Sequence, residues 1–220
     1  MSFMLLLAVL PAFFLLRYVN KMDKTEKEPR GLLIRLFIGG ALTTITAVLF
    51  GTILGFFNLF DEETIPYLIF DNFIATALVE EGGKYFVMKK LTWKNSEFNY
   101  TFDAVVYAVT VSLGFATLEN ILYVMDGDIV TALMRAVLAV PGHAIDGVFM
   151  GYYYGMAKLK GRTNPKILLI PVIMHGFYDF CLESDSTLMM LLFFVYEIFI
   201  TVKAVKKVKN LSAADTAVYV

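Results

Sequence analysis

The chain has little charge and a single cysteine, and these two scarcities exclude several classes of protein. Charged residues make up 18% of its 220 residues and hydrophobic residues 58%, whereas ordinary soluble domains are about 25% charged. A soluble core cannot use that much apolar surface, so the composition predicts a membrane protein. The lone cysteine, Cys181, excludes an internal disulfide and a multi-cysteine metal site.

Two further features are lacking. No basic tract is interleaved with aromatic residues, which excludes nucleic acid as a partner. The first 17 residues have no basic residue before their apolar run; the positive charge follows it. A signal peptide has the opposite order, so we expect this run to be a retained first helix.

Long apolar runs are what the chain does have. Seven of them have lengths suited to helices in a bilayer. They cover about residues 3–19, 32–59, 67–89, 102–125, 129–157, 167–182 and 187–203. We therefore predict an all-α fold, a polytopic transmembrane helix bundle of about seven spans. Residues 1–209 form its single membrane-embedded domain, and residues 210–220 form a short C-terminal tail.

The connecting loops alternate in charge. Most of the 19 Lys and Arg residues follow the first, third, fifth and seventh runs. The loops between carry acidic residues and no Lys or Arg: Asp61, Glu62, Glu63, Asp126, Asp128, Glu183 and Asp185. Because cytoplasmic loops are enriched in Lys and Arg, we predict that the N-terminus lies outside and the C-terminus in the cytoplasm.

Four consecutive runs carry ionisable residues well inside their apolar stretches. Such residues are costly in a bilayer and usually face a functional interior. They are Glu80, Glu81 and Lys84 in the third run, Glu119 in the fourth, Arg135, His143 and Asp146 in the fifth, and His175 and Asp179 in the sixth. Residues three or four apart share a helix face, so each run offers a polar stripe, and we expect the stripes to face one shared cavity.

Carboxylates and imidazoles in such a cavity indicate hydrolysis. In one scheme Glu80 or Glu81 takes a proton from water as general base, and a histidine stabilises the oxyanion. In the other, Glu80, Glu119, His143 and His175 hold a divalent metal such as zinc, which acidifies bound water. No Ser or Cys nucleophile with an obvious base partner is present, and the HExxH motif is absent.

Two hypotheses without proteolysis are also consistent with these residues. The same carboxylates and histidines suit the proton relay of a proton-coupled membrane transporter. The other hypothesis is a non-enzymatic membrane scaffold, in which Glu80 and Lys84 form only a helix-stabilising pair.

The chain resembles the PrsW intramembrane proteases of bacteria from its 21–31 loop to about Phe180. Four motifs in order carry the resemblance: Glu80-Glu81-x-x-Lys84, Phe115-x-x-x-Glu119, His143 with Asp146, and His175-x-x-x-Asp179. The related CAAX prenyl endopeptidases carry EExxxR, FxxxH and HxxxN, from which Lys84, Glu119 and Asp179 depart. The resemblance therefore favours a transmembrane substrate over a prenylated one.

The resemblance implies a multi-pass protease of the bacterial plasma membrane that makes the site-1 cut in a single-pass anti-sigma factor. This cut activates an extracytoplasmic-function sigma factor in a stress response. Either Glu80 or Glu81 is implied as the base and the other as its orienting partner, with His175 and Asp179 at oxyanion-stabilising positions. Glu119 and His143 are the remaining catalytic candidates. Lys84, Asp146 and Arg135 are supporting residues, and Arg135 balances carboxylate charge. The cofactor is either none or a divalent metal.

Overall fold

Seven helices make up the part of the chain that the structure describes, residues 2–62 and 64–218 of this computed structural model. They are α1 (Ser2–Met22), α2 (Arg30–Gly55), α3 (residues 65–92), α4 (Asp103–Asp126), α5 (Ile129–Leu159), α6 (Lys166–Glu183) and α7 (Thr187–Ala213). Met1, Glu63 of the acidic loop, and Tyr219 and Val220 of the tail lie outside the described residues. The fold is all-α.

Each predicted apolar run is helical, but not every helix is strongly apolar. Helices α1, α2, α4, α5 and α7 are long and apolar enough to cross a membrane. Helices α3 and α6 carry the charged residues of the predicted site, which lowers their apolar character. The largest difference in bounds is at the end of α7, which continues beyond residue 203 to Ala213.

Helices α3 and α5 each contain a π-helical segment. In α3 it covers Phe70–Leu78 and comes directly before the predicted site residues. In α5 it covers Arg135–Ala139 and ends four residues before His143. Such segments break the regular 3.6-residue periodicity and occur often at functional sites. Residues on their two sides therefore no longer share the faces that regular helical spacing predicts.

Helix α4 is the centre of the bundle. Its side chains from Asp103 to Thr117 are all buried, and it packs against α1, α2 and α5. Glycines permit the closest crossings: a Cβ added at Gly40 of α2 would collide with the Val111 carbonyl, and one at Gly114 would collide with the Phe37 carbonyl. By contrast, α2 and α7 expose many large apolar side chains on their outer faces, as helices in contact with lipid do.

The tail packs against the bundle as far as the structure describes it. The N–H of Thr101 donates to the carbonyl of Thr216 at 3.0 Å, and the N–H of Val218 donates to that of Asn99 at 2.7 Å. Val218 is buried. These bonds join the end of the chain to the loop that precedes α4.

Candidate active site

The predicted motif of α3 forms a buried charge cluster around one ammonium group. The Lys84 Nζ lies 2.6 Å from Glu81 Oε1 and 3.4 Å from Glu80 Oε2. The side chains of Lys84 and Glu81 are completely buried, while that of Glu80 is 11% exposed. The ammonium also lies 3.9 Å from the centre of the Phe115 ring, so a cation–π contact adds to the two ion pairs.

His175 of α6 joins this cluster through both ring nitrogens. Its Nδ1 lies 3.0 Å from Glu81 Oε1, and its Nε2 lies 3.1 Å from Asp179 Oδ2 and 3.7 Å from Glu80 Oε2. The neighbouring Gly176 makes the approach of α6 to α3 possible, because a Cβ there would meet the Phe73 ring at 2.5 Å. His175 and Asp179 thus share a helix face, as their spacing predicts.

Helices α4 and α5 contribute a second set of contacts. The Nε2 of His143 lies 2.9 Å from Glu119 Oε2, and Arg135 Nη2 lies 2.5 Å from that same oxygen. Arg135 Nε donates to Asn120 Oδ1 at 2.8 Å. On its other nitrogen, Nδ1, His143 lies 3.1 Å from Lys84 Nζ. Lys84 and His143 therefore link the two sets of contacts into one centre.

The structure brings together all nine residues that the sequence singled out. Asp146 is the least engaged of them, since its Oδ2 lies 4.0 Å from His175 Nδ1. The expectation that four helices face one interior agrees with this geometry.

Two cavities meet at this centre. The α2-side cavity, of about 710 Å³, lies between α2, α3 and α4, and Thr44, Ala47, Gly51 and Ala75 are among the mostly small residues that line it. The α6-side cavity, of about 490 Å³, lies between α3, α4, α5 and α6. It is far more polar, and its lining includes Asp71, Arg135, Asp146, Asp179 and Glu183.

Four residues line both cavities: Thr76, Glu80, Glu119 and Tyr123. Glu81 lines neither. The two adjacent glutamates of the motif therefore differ in surroundings. Glu80 is the carboxylate that both cavities reach, whereas Glu81 is enclosed by Lys84 and His175.

Sequence reasoning missed part of the lining. The ring of Tyr123 lies 3.8 Å from the Arg135 guanidinium carbon, and Thr76 lines both cavities together with Glu80. Thr76 carries no charge, and it falls within the π-helical segment of α3, so helical spacing gave no signal for it. Asp71 was detectable as an acidic residue in an apolar run.

This geometry defines a class of protein: a membrane-embedded enzyme with a buried glutamate–histidine centre that suits hydrolysis. The family description "PrsW family intramembrane metalloprotease" matches residues 28–204. The chain belongs to the PrsW family, and both the predicted family and the predicted peptidase activity in a membrane are confirmed. The transporter alternative is not favoured.

Individual relatives cover most of the chain. A protein named Protease PrsW from Oceanobacillus iheyensis is 37% identical over 188 residues, which span 84% of this chain and 85% of that protein. A Protease PrsW from Clostridioides difficile is 32% identical over 203 residues, which span 88% of this chain and 84% of that protein. A Protease PrsW from Bacillus subtilis is 31% identical over 212 residues, which span 93% of this chain and 94% of that protein. No solved structure matches.

The family description names a metalloprotease, and the buried centre contains residue types that bind divalent metals. One ligand atom from each of Glu80, Glu81, His143 and His175 lies within 4.8 Å of the others. The Oε2 atom of Glu81 is buried without a hydrogen-bond partner. Imidazole and carboxylate are ligands that zinc accepts, so these residues fit a divalent metal. The four include Glu81, whereas the sequence suggested Glu119 in its place.

Proposed function

We propose that this protein is an endopeptidase in which Glu80 activates the attacking water, and that its substrate is a single-pass membrane protein. The resemblance of the motifs extends this proposal to an anti-sigma factor, whose site-1 cleavage activates an extracytoplasmic-function sigma factor. The observation that carries the proposal is the position of Glu80 at the junction of two unlike cavities. One cavity suits an apolar peptide segment and the other suits water.

In this mechanism Glu80 takes a proton from water while the water oxygen attacks the scissile carbonyl carbon. The protonated carboxyl then gives this proton to the leaving amine, which completes hydrolysis. A charge of −1 develops on the carbonyl oxygen between these steps. We assign His175, whose Nε2 lies 3.7 Å from Glu80 Oε2, to stabilise this charge.

The remaining residues hold these two groups. Glu81 orients both Lys84 and His175, with contacts of 2.6 and 3.0 Å. Glu119 is held by Arg135 and in turn orients His143. Glu80, Glu81, His143 and His175 would hold a divalent metal, which would supply an acidified water and polarise the carbonyl.

The proposal includes the membrane topology. Seven crossings, with the N-terminus outside, put the acidic loops outside and the Lys-rich loops in the cytoplasm, in agreement with the loop charges. Residues 1–209 are then one membrane-embedded protease domain. The small side chains at Thr44, Ala47, Gly51 and Ala75 leave room for a substrate backbone to approach Glu80 from the α2 side.

The test compares new protein N-termini in membranes from cells that carry the wild-type protein, Glu80→Gln or Glu81→Gln at matched expression. Glu197→Gln is the matched control, because Glu197 lies on the membrane helix α7 and lines neither cavity. We expect fragments of a single-pass protein in wild-type and Glu197→Gln membranes only.

Three outcomes are informative. Fragments that persist in Glu80→Gln show that Glu80 is not the base. Fragments from a protein other than an anti-sigma factor support the protease and correct its substrate. If all four membranes yield the same N-termini under several envelope stresses, the proposed substrate class and mechanism are wrong.

A further inference from the structure

A groove between α3 and α6 lies apart from the active-site cavities. It has a volume of about 470 Å³ and is lined by α3, the α5–α6 loop and α6. None of its lining residues lines either active-site cavity. This groove, the α3–α6 groove, therefore has no part in the proposed hydrolysis, and its occupant is independent of that reaction.

The α3–α6 groove is polar at one end. Asn72 Nδ2, near the start of α3, donates to Glu183 Oε2, at the end of α6, at 3.0 Å, so the two helices are antiparallel. Lys89, near the end of α3, and Asn164, just before α6, therefore line the same end of the groove, while Leu78 lies deeper. The polar end is the one that the lysine-rich loops adjoin.

The rest of the groove is apolar, and Leu169 and Val172 of α6 are among the residues that line it. From Leu78 to Lys89, α3 rises by about 16 Å, at 1.5 Å per residue. This length is about half of the roughly 30 Å hydrocarbon core of a bilayer. The groove thus has the depth of one lipid leaflet.

Exposed basic side chains occur at the polar end without protein counter-ions. They are Lys89 of the groove itself and, within four residues of Asn164 along the chain, Lys160, Arg162 and Lys166. Among the described residues, no carboxylate oxygen lies within 4 Å of a nitrogen of these four side chains. Helix α6 begins at Lys166, so the partial positive charge of its N-terminus falls at the same end. The polar end of the groove therefore favours an anion.

We propose that the α3–α6 groove binds one anionic phospholipid, with an acyl chain along its apolar length and the headgroup phosphate at Lys89. Basic side chains between membrane helices attract anionic headgroups on the cytoplasmic side, which is the side predicted for these loops. A zwitterionic lipid fills the apolar part equally well but gains less from the basic end. A free phosphate ion gains nothing from the apolar part, so the combination of the two parts specifies a lipid of net negative charge.

A lipid in this groove contacts both helices that carry the buried charge cluster. Tyr85, which lines the groove, directly follows Lys84 in α3. Val172, which also lines it, lies three residues before His175 in α6. The bound lipid therefore links α3 to α6 beside the cluster, and we expect it to raise the unfolding temperature of the protein.

Native mass spectrometry of the purified, delipidated full-length protein in a non-ionic detergent tests this site. Phosphatidylglycerol and phosphatidylcholine with identical acyl chains are titrated separately, and the unfolding temperature is measured with each. We expect phosphatidylglycerol to bind more tightly, by about fivefold or more, and to raise the unfolding temperature further. Because one lysine beside an anionic headgroup contributes about fivefold in affinity, Lys89→Gln should weaken phosphatidylglycerol binding by that factor and leave phosphatidylcholine binding unchanged.

Two matched controls separate the groove from the rest of the surface. Lys209→Gln removes the same charge from an exposed lysine of α7 that does not line the groove, and it should bind phosphatidylglycerol as the wild type does. Leu169→Trp fills the apolar part of the groove and should weaken phosphatidylglycerol binding. Leu191→Trp, at an exposed leucine of α7, should not.

The proposal is wrong if the wild type binds the two lipids equally. It is also wrong if Lys89→Gln and Lys209→Gln weaken phosphatidylglycerol binding equally, since general attraction to the basic surface would then suffice. Displacement of phosphatidylglycerol by inorganic phosphate at matched concentration would show a site for a free anion and would likewise overturn it. If a variant fails to fold, the comparison of the two lipids and of phosphate on the wild type decides.

Discussion

At the scale of single residues, Lys84 is the buried cation of the candidate active site. Its ammonium is fully buried and contacts Glu80, Glu81 and His143. Removal of one member of a buried ion pair leaves the other charge uncompensated, which costs about 3–5 kcal/mol. Lys84 therefore stabilises the fold as well as the site.

We expect Lys84→Met to lower the free energy of unfolding by about 3–5 kcal/mol, because Glu81 is left buried without its partner. The measurement is a denaturant titration of the purified protein in mixed micelles. Lys89→Met, an exposed lysine on the same helix, is the control and should change stability by less than about 0.5 kcal/mol. The double variant Glu81→Gln/Lys84→Met should regain part of the loss. Equal stability of Lys84→Met and the wild type would contradict this account.

At the scale of elements, the crossing of α2 and α4 sets the width of the α2-side cavity. Gly40 of α2 faces the backbone of Val111, and Gly114 of α4 faces that of Phe37. Both helices have their backbones in contact at this point, so any added side chain must push them apart. The same two helices line the cavity from Thr44 to Thr52 and from Phe115 to Asp126.

Gly40→Ala should therefore destabilise the protein by about 1–3 kcal/mol, as overpacking of a tight interior does, and should reduce proteolysis as α2 moves outward. Gly55→Ala lies on the same helix, where an added Cβ meets nothing within 4 Å. It should be neutral, or stabilising by up to about 1 kcal/mol. Unfolding temperature and cleavage of the identified substrate are measured for both. Equal effects of the two changes would show that the crossing is not tightly packed.

The loop between α1 and α2 makes the stability dependent on pH. Burial raises the pKa of Glu28 to about 8 and that of Asp23 to about 6, above the ordinary values of 4.5 and 3.8. The folded chain then binds more protons than the unfolded chain between these values. Stability is complete below the unfolded pKa and decreases as the pH rises towards the folded pKa.

We expect the free energy of unfolding to fall from pH 5 to pH 8, by at most about 1.4 kcal/mol per pH unit for each group. Burial also raises the pKa of Asp103, to about 7. Glu28→Gln should therefore flatten the profile mainly between about pH 7 and pH 8 and leave the contributions of Asp103 and Asp23 at lower pH. The measurement is denaturant unfolding over this range for both proteins. A wild-type profile that rises with pH would contradict the prediction.

At the scale of the whole molecule, the charge of the loops predicts which ends face the cytoplasm. In a background with Cys181→Ser, single cysteines are introduced as Asp61→Cys and Lys94→Cys. A membrane-impermeant maleimide should label the first in intact cells and the second only after permeabilisation. The reverse pattern would invert the proposed orientation, and labelling of both in intact cells would contradict the number of crossings.

The order of residues along the chain predicted the helices, the family and the nine residues that the structure brings together around Lys84. Apolar runs of 16 residues or more must bury their backbone polar groups in hydrogen bonds, and helices do so locally. Charged residues inside those runs mark a functional interior because a bilayer tolerates them poorly. The apolar runs and the charged residues within them are both defined by the order of residues along the chain, so they can be recognised before the fold is known.

Which of the two glutamates lines the cavities could be seen only in the folded chain. Glu80 and Glu81 are adjacent and chemically identical, and their difference depends on where α2, α4 and α6 cross α3. The contact of Lys84 with His143 joins residues 59 positions apart, and π-helical segments change the angular offsets that regular spacing predicts. The contacts of Glu28 with Tyr107 and of Asp215 with Phe102 likewise form only once the first loop, α4 and the tail have packed together, because these residues are distant along the chain.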